Sequence, residues 1–217
     1  MILYGSSLSP FVRKVLAFAS EKGIELEIRP TGEAPGQHCA EFVSASPLRK
    51  MPALVDGDFA LPDSSAIVHY LEALRPEPNL IPTEPRARGR TIWFEEYGDT
   101  AVMACAGKVF FNRVVAPVFF GRPGDAAVAD AAENDEFPPI FEYLESVIPD
   151  SGFLVQDRLT LADIAIASPL ANLSYMGMGI DDGRYPRLAR FVENILARPS
   201  FAPWIERERA MIARLTA

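Results

Sequence analysis

Residues 51–74 read MPALVDGDFALPDSSAIVHYLEAL, and this stretch decides the fold. Ala53-Leu54-Val55 is a short apolar strand, Asp56-Gly57-Asp58 a turn, and Phe59-Ala60-Leu61 a second strand, which together make a hairpin. Asp63 or Ser64 then caps a helix whose Ile67, Tyr70, Leu71 and Leu74 form an apolar stripe, and Pro76 ends it. Working back from the hairpin, Ala40 to Ala45 suggests a short helix and Glu25 to Arg29 alternates polar and apolar as a half-buried strand does. From Pro10 onward Val12, Val15, Leu16 and Ala19 fall at helical spacing, and Gly23 stops that helix. Ile2-Leu3-Tyr4 is an opening strand. The order βαβ, then α, then ββα predicts a small α/β sandwich with a mixed sheet over residues 1–75.

Beyond it, Pro76, Pro78, Pro82 and Pro85 crowd a segment that reads as a linker, residues 76–88. No strand pattern of any strength follows. The segments Ile92 to Cys105, Ala126 to Ile148, Thr160 to Met176, Tyr185 to Ala197 and Pro203 to Leu215 read as helices, giving an all-helical second domain over 89–217. Pro138-Pro139 is expected to kink the second of these. Within the third, LTLADI places Thr160 three residues before Asp163, a reciprocal capping box whose role is structural.

Composition narrows the function. The 217 residues are 49% hydrophobic, enough for a sizeable core. With 21 Lys and Arg against 29 Asp and Glu, the net charge of -8 argues against nucleic acid as the partner. Ile164 to Ile180 carries no charge but falls short of the roughly 20 apolar residues of a membrane span, so no membrane association is expected. No leader pattern opens the chain. Cys39 and Cys105 lie far apart and outside any ligand spacing, which predicts a reduced, cytoplasmic protein without a metal site.

Five stretches in order carry a family resemblance: SPFVRKVLAFASEKGI from Ser9, GQH at Gly36 to His38, SPLRKMPALVDGDFALPDSSAIVHYLE from Ser46, LTLADI from Leu159 and ARPSF at Ala197 to Phe201. With them, the chain resembles a cytosolic glutathione transferase of the serine-dependent, theta-like or bacterial kind. The resemblance implies a thioredoxin-like glutathione-binding domain, a linker and an all-α helical-bundle domain, with glutathione as co-substrate and a homodimer as the assembly. It implies detoxifying conjugation of a small electrophile.

The resemblance also assigns residues. A cis bond at Met51-Pro52 would expose the Met51 main chain to the cysteinyl main chain of glutathione. Asp63 and Ser64 would take the ammonium and carboxylate of the γ-glutamyl end, the carboxylate docking on unpaired amides at the helix start. His38 matches the position that receives the glycine carboxylate in theta-like members; Arg49 and Lys50 are alternative cations, Lys50 being better placed beside Met51. The acceptor pocket, implied between the domains, draws on Leu8, Phe11, Trp93, Tyr97, Phe110 and Phe111. Asp99 and Cys105 face either the pocket or the dimer seam. Gln156 stands where relatives often have glycine.

Ser9 before Pro10 has two readings. By itself it is an N-cap followed by a proline at the first helical position. By resemblance its hydroxyl faces the glutathione sulfur and stabilises the thiolate, with Ser6 and Ser7 as rivals. No cysteine stands among these serines, so thiol–disulfide exchange is not expected, because exchange needs a protein sulfur. Two other readings stay open: a glutathione-dependent dehalogenase, etherase or isomerase, and a non-catalytic ligand- or protein-binding module of the same architecture.

Overall fold

A computed structural model describes residues 1–34 and 36–216, and its contacts divide the chain into two units, Met1–Ile81 and Pro82–Ala217. The first contains β1 (Ile2–Tyr4), α1 (Pro10–Glu21), β2 (Glu27–Arg29), α2 (Ala40–Ala45), β3 (Ala53–Asp56), β4 (Phe59–Pro62) and α3 (Ser64–Leu74). The strands form one mixed sheet in the order β2-β1-β3-β4, with β1 parallel to β2 and antiparallel to β3. The α/β class expected from the sequence is the class observed. Tyr4 and Ala53 sit opposite each other and join Phe42 and Ala45 of α2 in one buried cluster. By the alternation of a strand, Leu3 and Leu54 face the other side, where α1 and α3 pack together.

Two local features hold this unit. Gly5 leaves β1 with φ +155, and a Cβ there would come within 2.5 Å of Val12 Cγ2, so a side chain would push α1 away from the sheet. Lys22, at the end of α1, is buried, and its ammonium meets Glu72 at 2.7 Å and donates to the carbonyls of Arg75 and Pro78, each at 2.7 Å. Three donors thus meet three oxygens, the arrangement a buried cation requires. Glu72 also accepts from the amides of Leu80 and Ile81, at 3.2 and 3.3 Å, so one ion pair ties α1, α3 and residues 75–81 together.

The second unit contains α4 (Pro85–Tyr97), α5 (Met103–Phe110), α6 (Ala126–Ala131), α7 (Phe137–Val147), α8 (Leu161–Leu170), α9 (Pro186–Leu196) and α10 (Ala202–Thr216). Every residue of α8 is buried. α4 packs against it, and a Cβ on Gly98 would lie 2.7 Å from the carbonyl oxygen of Ala165, so glycine permits the close approach.

Several boundaries differ from those expected. The helix read from Ile92 begins at Pro85, so residues 85–88 of the linker reading are its first turn. Glu84 accepts from the amides of Arg86 and Ala87 at 3.0 and 2.7 Å, and Pro85 stands at the helix start, where it lacks no bond. Arg86, Arg88 and Arg90 are exposed, which erases the apolar periodicity that would have marked the turn. The helical run also continues past Cys105 to Phe119, through π-helical stretches at Gly98–Val102 and Phe111–Phe119. By length and composition alone this run of 85–119 is long and apolar enough to cross a membrane, as the core helix of a helical domain also is. Pro138 and Pro139 fall in the first turn of α7, and a π-helical turn at Ala132–Glu136 directly precedes it.

The capping box at the start of α8 is closed. Asp163 accepts from the amide of Thr160 at 2.8 Å, its hydroxyl at 3.1 Å and the amide of Leu154 at 2.8 Å. Gln156, just upstream, adopts φ +57, the left-handed angle that glycine takes more cheaply. Burial outweighs the hydrogen bonds at Asp163 and pushes its carboxyl from 3.8 up to about 6. The folded state therefore holds a proton that the unfolded state releases between those values, so this group's contribution to stability is largest in acid and declines as pH rises through about 6. Urea unfolding should show the wild type gaining stability relative to Asp163→Asn when pH is lowered from about 7 to about 4.5. Parallel pH profiles for the two proteins would contradict this.

Candidate functional site

The sheet register gathers the site. Tyr4 pairs with Ala53, and Ala53 pairs with Pro62. The chain leaving β1, the chain entering β3 and the chain leaving β4 therefore meet at one end of the sheet. A cavity of about 270 Å³ lies there, walled by Phe11 of α1, by Ser46, Leu48, Lys50, Met51 and Pro52 ahead of β3, and by Pro62, Asp63 and Ser64 at the start of α3.

Met51-Pro52 is a cis peptide, as expected. β3 begins only at Ala53, so the main chain of Met51 lies outside the sheet ladder, and Met51 is 36% exposed. Ser64 is the first residue of α3 and is buried, with its amide at the helix start. Asp63 precedes it at φ +79, and its Oδ1 accepts from the amides of Ser65 and Ala66 at 2.9 and 3.1 Å. This settles which of the two residues caps α3. One carboxylate oxygen does the capping, and Oδ2 takes no part in it.

Ser9 holds the N-cap position of α1, with Pro10 directly after it, but its hydroxyl makes no capping bond. Its main chain does the work: the amide donates to Ser6 O at 2.9 Å, and the carbonyl accepts from Arg13 N at 2.9 Å. The cap reading of the hydroxyl is thereby corrected. Ser9 and Ser6 are half-buried and Ser7 is buried. Ser9 is not in the wall of the cavity, which takes Phe11 from the same helix start.

His38 is placed elsewhere. It lines a second cavity of about 550 Å³ with Tyr4, Arg29, Gln37 and Cys39, and its ring lies 5.1 Å from that of Phe42. The chain is held there because the amide of Cys39 donates to Thr31 O at 2.7 Å, drawing this loop back to the end of β2. Of the three cations weighed from the sequence, Lys50 is the one in the wall; Arg49 has φ +53.

Of the apolar residues named for an acceptor pocket, those of the second unit fall in separate clusters, and Leu8 and Phe11 are placed within the first unit. Leu8 is buried in the first unit. Trp93 and Tyr97 form an aromatic cluster with Tyr143, whose hydroxyl accepts from Trp93 Nε1 at 3.0 Å. Phe110 is buried with its ring 6.5 Å from Tyr175, about four turns further along the helical run. Phe111 pairs instead with Phe120 and lies under the Arg122 guanidinium. Sequence reasoning named no role for Ser46, Leu48 and Tyr143; Ser46 and Leu48 lie within the quoted SPLRKMPAL, four and two residues before Lys50. Among the described residues no cluster of His, Cys, Asp or Glu is placed to hold a metal ion.

Residues 3–79 match the glutathione S-transferase N-terminal domain, and residues 111–208 match the glutathione S-transferase C-terminal domain. A glutathione S-transferase of Hyoscyamus muticus is 32% identical, over 95% of this chain and 98% of its own. The chain belongs to the glutathione S-transferase family. Glutathione S-transferase theta-1 of Homo sapiens is 31% identical over 90% of this chain and 82% of its own. The crystal structure of a glutathione S-transferase from Rhodospirillum rubrum superposes with a TM-score of 0.84 at 26% identity, over 94% of this chain and 90% of that one. The two matched regions are the thioredoxin-like and helical domains of a glutathione S-transferase.

The two thiols of this family member differ in setting. Cys105 is buried, its sulfur donates to Ala132 O at 3.2 Å, and burial, with the Glu136 charge adding to it, pushes the thiol up to about 12. Cys39 is half-buried beside the larger cavity. At about pH 8 a thiol reagent should modify Cys39 in the native protein and Cys105 only on unfolding. Two rapidly reacting thiols, read by absorbance and mass spectrometry, would refute that assignment.

Proposed function

We propose that the protein is a glutathione transferase that conjugates the glutathione thiolate to small, apolar or aromatic electrophiles. The observation that carries this reading is the convergence of Lys50, Met51, Asp63 and Ser64 on one cavity. The helix start at Ser64 suits the γ-glutamyl carboxylate, with the Ser64 hydroxyl as a further donor. Asp63 Oδ2, left over from the cap, suits the ammonium. The Met51 main chain suits the cysteinyl main chain in a strand-like contact, and Lys50 the glycine carboxylate. His38 is left out of this set because it lines the other cavity.

In this reading the sulfur lies near the positive end of α1. A free thiol of this kind titrates at roughly 8.5, so lowering it by about two units requires about 2.7 kcal/mol of preference for the thiolate. Donation from the Ser9 hydroxyl together with the helix dipole is of that size. The hydroxyl is available because it does not cap its helix. The thiol proton leaves to solvent, and the sulfur lone pair forms the new carbon–sulfur bond. With an aryl halide, the carbon–halogen pair departs as halide; with an activated alkene, the displaced pair moves to the adjacent carbon and water protonates it.

Family membership also leads us to propose a homodimer, with the exposed Phe59 and Leu74 of the first unit facing a second copy. The same membership supports a cytoplasmic, detoxifying role.

With an aryl halide and saturating glutathione, Ser9→Ala should lower turnover at neutral pH by about tenfold or more and move the pH profile toward the free thiol. Turnover within twofold of wild type would remove Ser9 from the mechanism. Asp63→Asn keeps an N-cap acceptor but loses the charge opposite the ammonium. Its KM for glutathione should rise about tenfold with unchanged thermal unfolding; an unchanged KM would place the ammonium elsewhere.

A further inference from the structure

We propose that Ser46 is a positioning residue for glutathione, setting the Lys50 ammonium at the glycine carboxylate by holding the main chain of Lys50. This rests on the glutathione reading above. Ser46 is 1% exposed and ends α2, its amide donating to Phe42 O at 2.8 Å. Its carbonyl accepts from Arg49 N at 2.9 Å, which turns the chain. Its hydroxyl then does two things for one residue: it donates to Lys50 O at 2.8 Å and accepts from Lys50 N at 3.1 Å.

A hydroxyl carries one donor and two acceptor lone pairs, so it can satisfy both main-chain groups of the same residue. Ending α2 needs only the main chain of Ser46, and alanine would serve there equally. The hydroxyl bonds both go to Lys50. Between the two residues, Arg49 is held at φ +53, a conformation that a non-glycine residue keeps only when its surroundings impose it. With its amide and carbonyl engaged by Ser46, Lys50 presents its side chain to the cavity wall. The next residue, Met51, is where the main chain becomes available to a ligand. A lysine on a loose loop would spend binding energy on ordering both loop and side chain, whereas here the loop half of that ordering is already done.

If Ser46 acts through Lys50, its loss should matter only to a ligand bearing the glycine carboxylate. The test is calorimetric titration of the full chain with glutathione and with its glycine monoethyl ester, which removes that charge and leaves the γ-glutamyl and cysteinyl parts intact. For Ser46→Ala the Kd of glutathione should rise about fivefold to tenfold, while the Kd of the ester stays within twofold of its wild-type value. Lys50→Ala should show the same pattern, and adding Ser46→Ala to it should weaken glutathione no further. Equal weakening of both ligands would make Ser46 a general support of the fold and overturn the proposal, as would unchanged glutathione binding. Ser46→Cys, close in volume and a poor hydrogen-bonding partner, takes the place of the alanine variant if that does not fold. Absence of glutathione binding by the wild type would instead overturn the glutathione reading itself, and this inference with it.

Discussion

The pairing of Tyr4 with Ala53, and of Ala53 with Pro62, is the constraint on which the glutathione-binding unit depends. Because β3 runs antiparallel to β1 and β4 antiparallel to β3, the exit of β1, the entry of β3 and the exit of β4 share one edge of the sheet. Each delivers a different chemical resource. The first brings the positive start of α1, the second a stretch of main chain outside the ladder, and the third the start of α3 at Ser64, with the Asp63 carboxylate beside it. A slip of one residue in either pairing would turn these side chains to the opposite face.

Buried polar groups supply the specificity that apolar packing alone does not. Lys22 is satisfied by one carboxylate and two carbonyls, Asp163 by two amides and a hydroxyl, and the Ser46 hydroxyl by both main-chain groups of Lys50. In each case a single buried side chain collects bonds from a segment lacking regular structure: residues 75–81, 154–160 and 46–50. Unmade, each bond would leave a desolvated group, so these segments hold one conformation although no helix or strand dictates it. The site uses the same logic in reverse. Asp63 spends one oxygen on the helix and keeps the other, and Ser9 leaves the capping of α1 to its main chain.

In the helical unit, irregularity accompanies close packing. Gly98 allows α4 to approach α8, and π-helical stretches lengthen the run to Phe119. The aromatic residues along that run are distributed over separate clusters. Trp93 and Tyr97 gather with Tyr143, whereas Phe110 packs against Tyr175 and Phe111 against Phe120.

What the amino-acid sequence by itself determined is whatever rests on neighbours in the chain. The hairpin turn at Asp56 to Asp58, the start of α3 to within one residue, and the capping box at Thr160 and Asp163 depend on residues a few positions apart, so motif and spacing suffice; the cis bond at Met51-Pro52 was legible only through the family resemblance. The first turn of α4 escaped because its face is polar and apolar periodicity is the signal that marks a helix. Tertiary structure alone decided the rest. It took His38 to a second cavity, because Cys39 is tied back to Thr31 across a loop. It left the Ser9 hydroxyl out of the cap of its helix. Each of these outcomes depends on which partner reaches a polar atom first once the chain is compact, and that competition is settled by distance in space, which spacing along the chain does not encode.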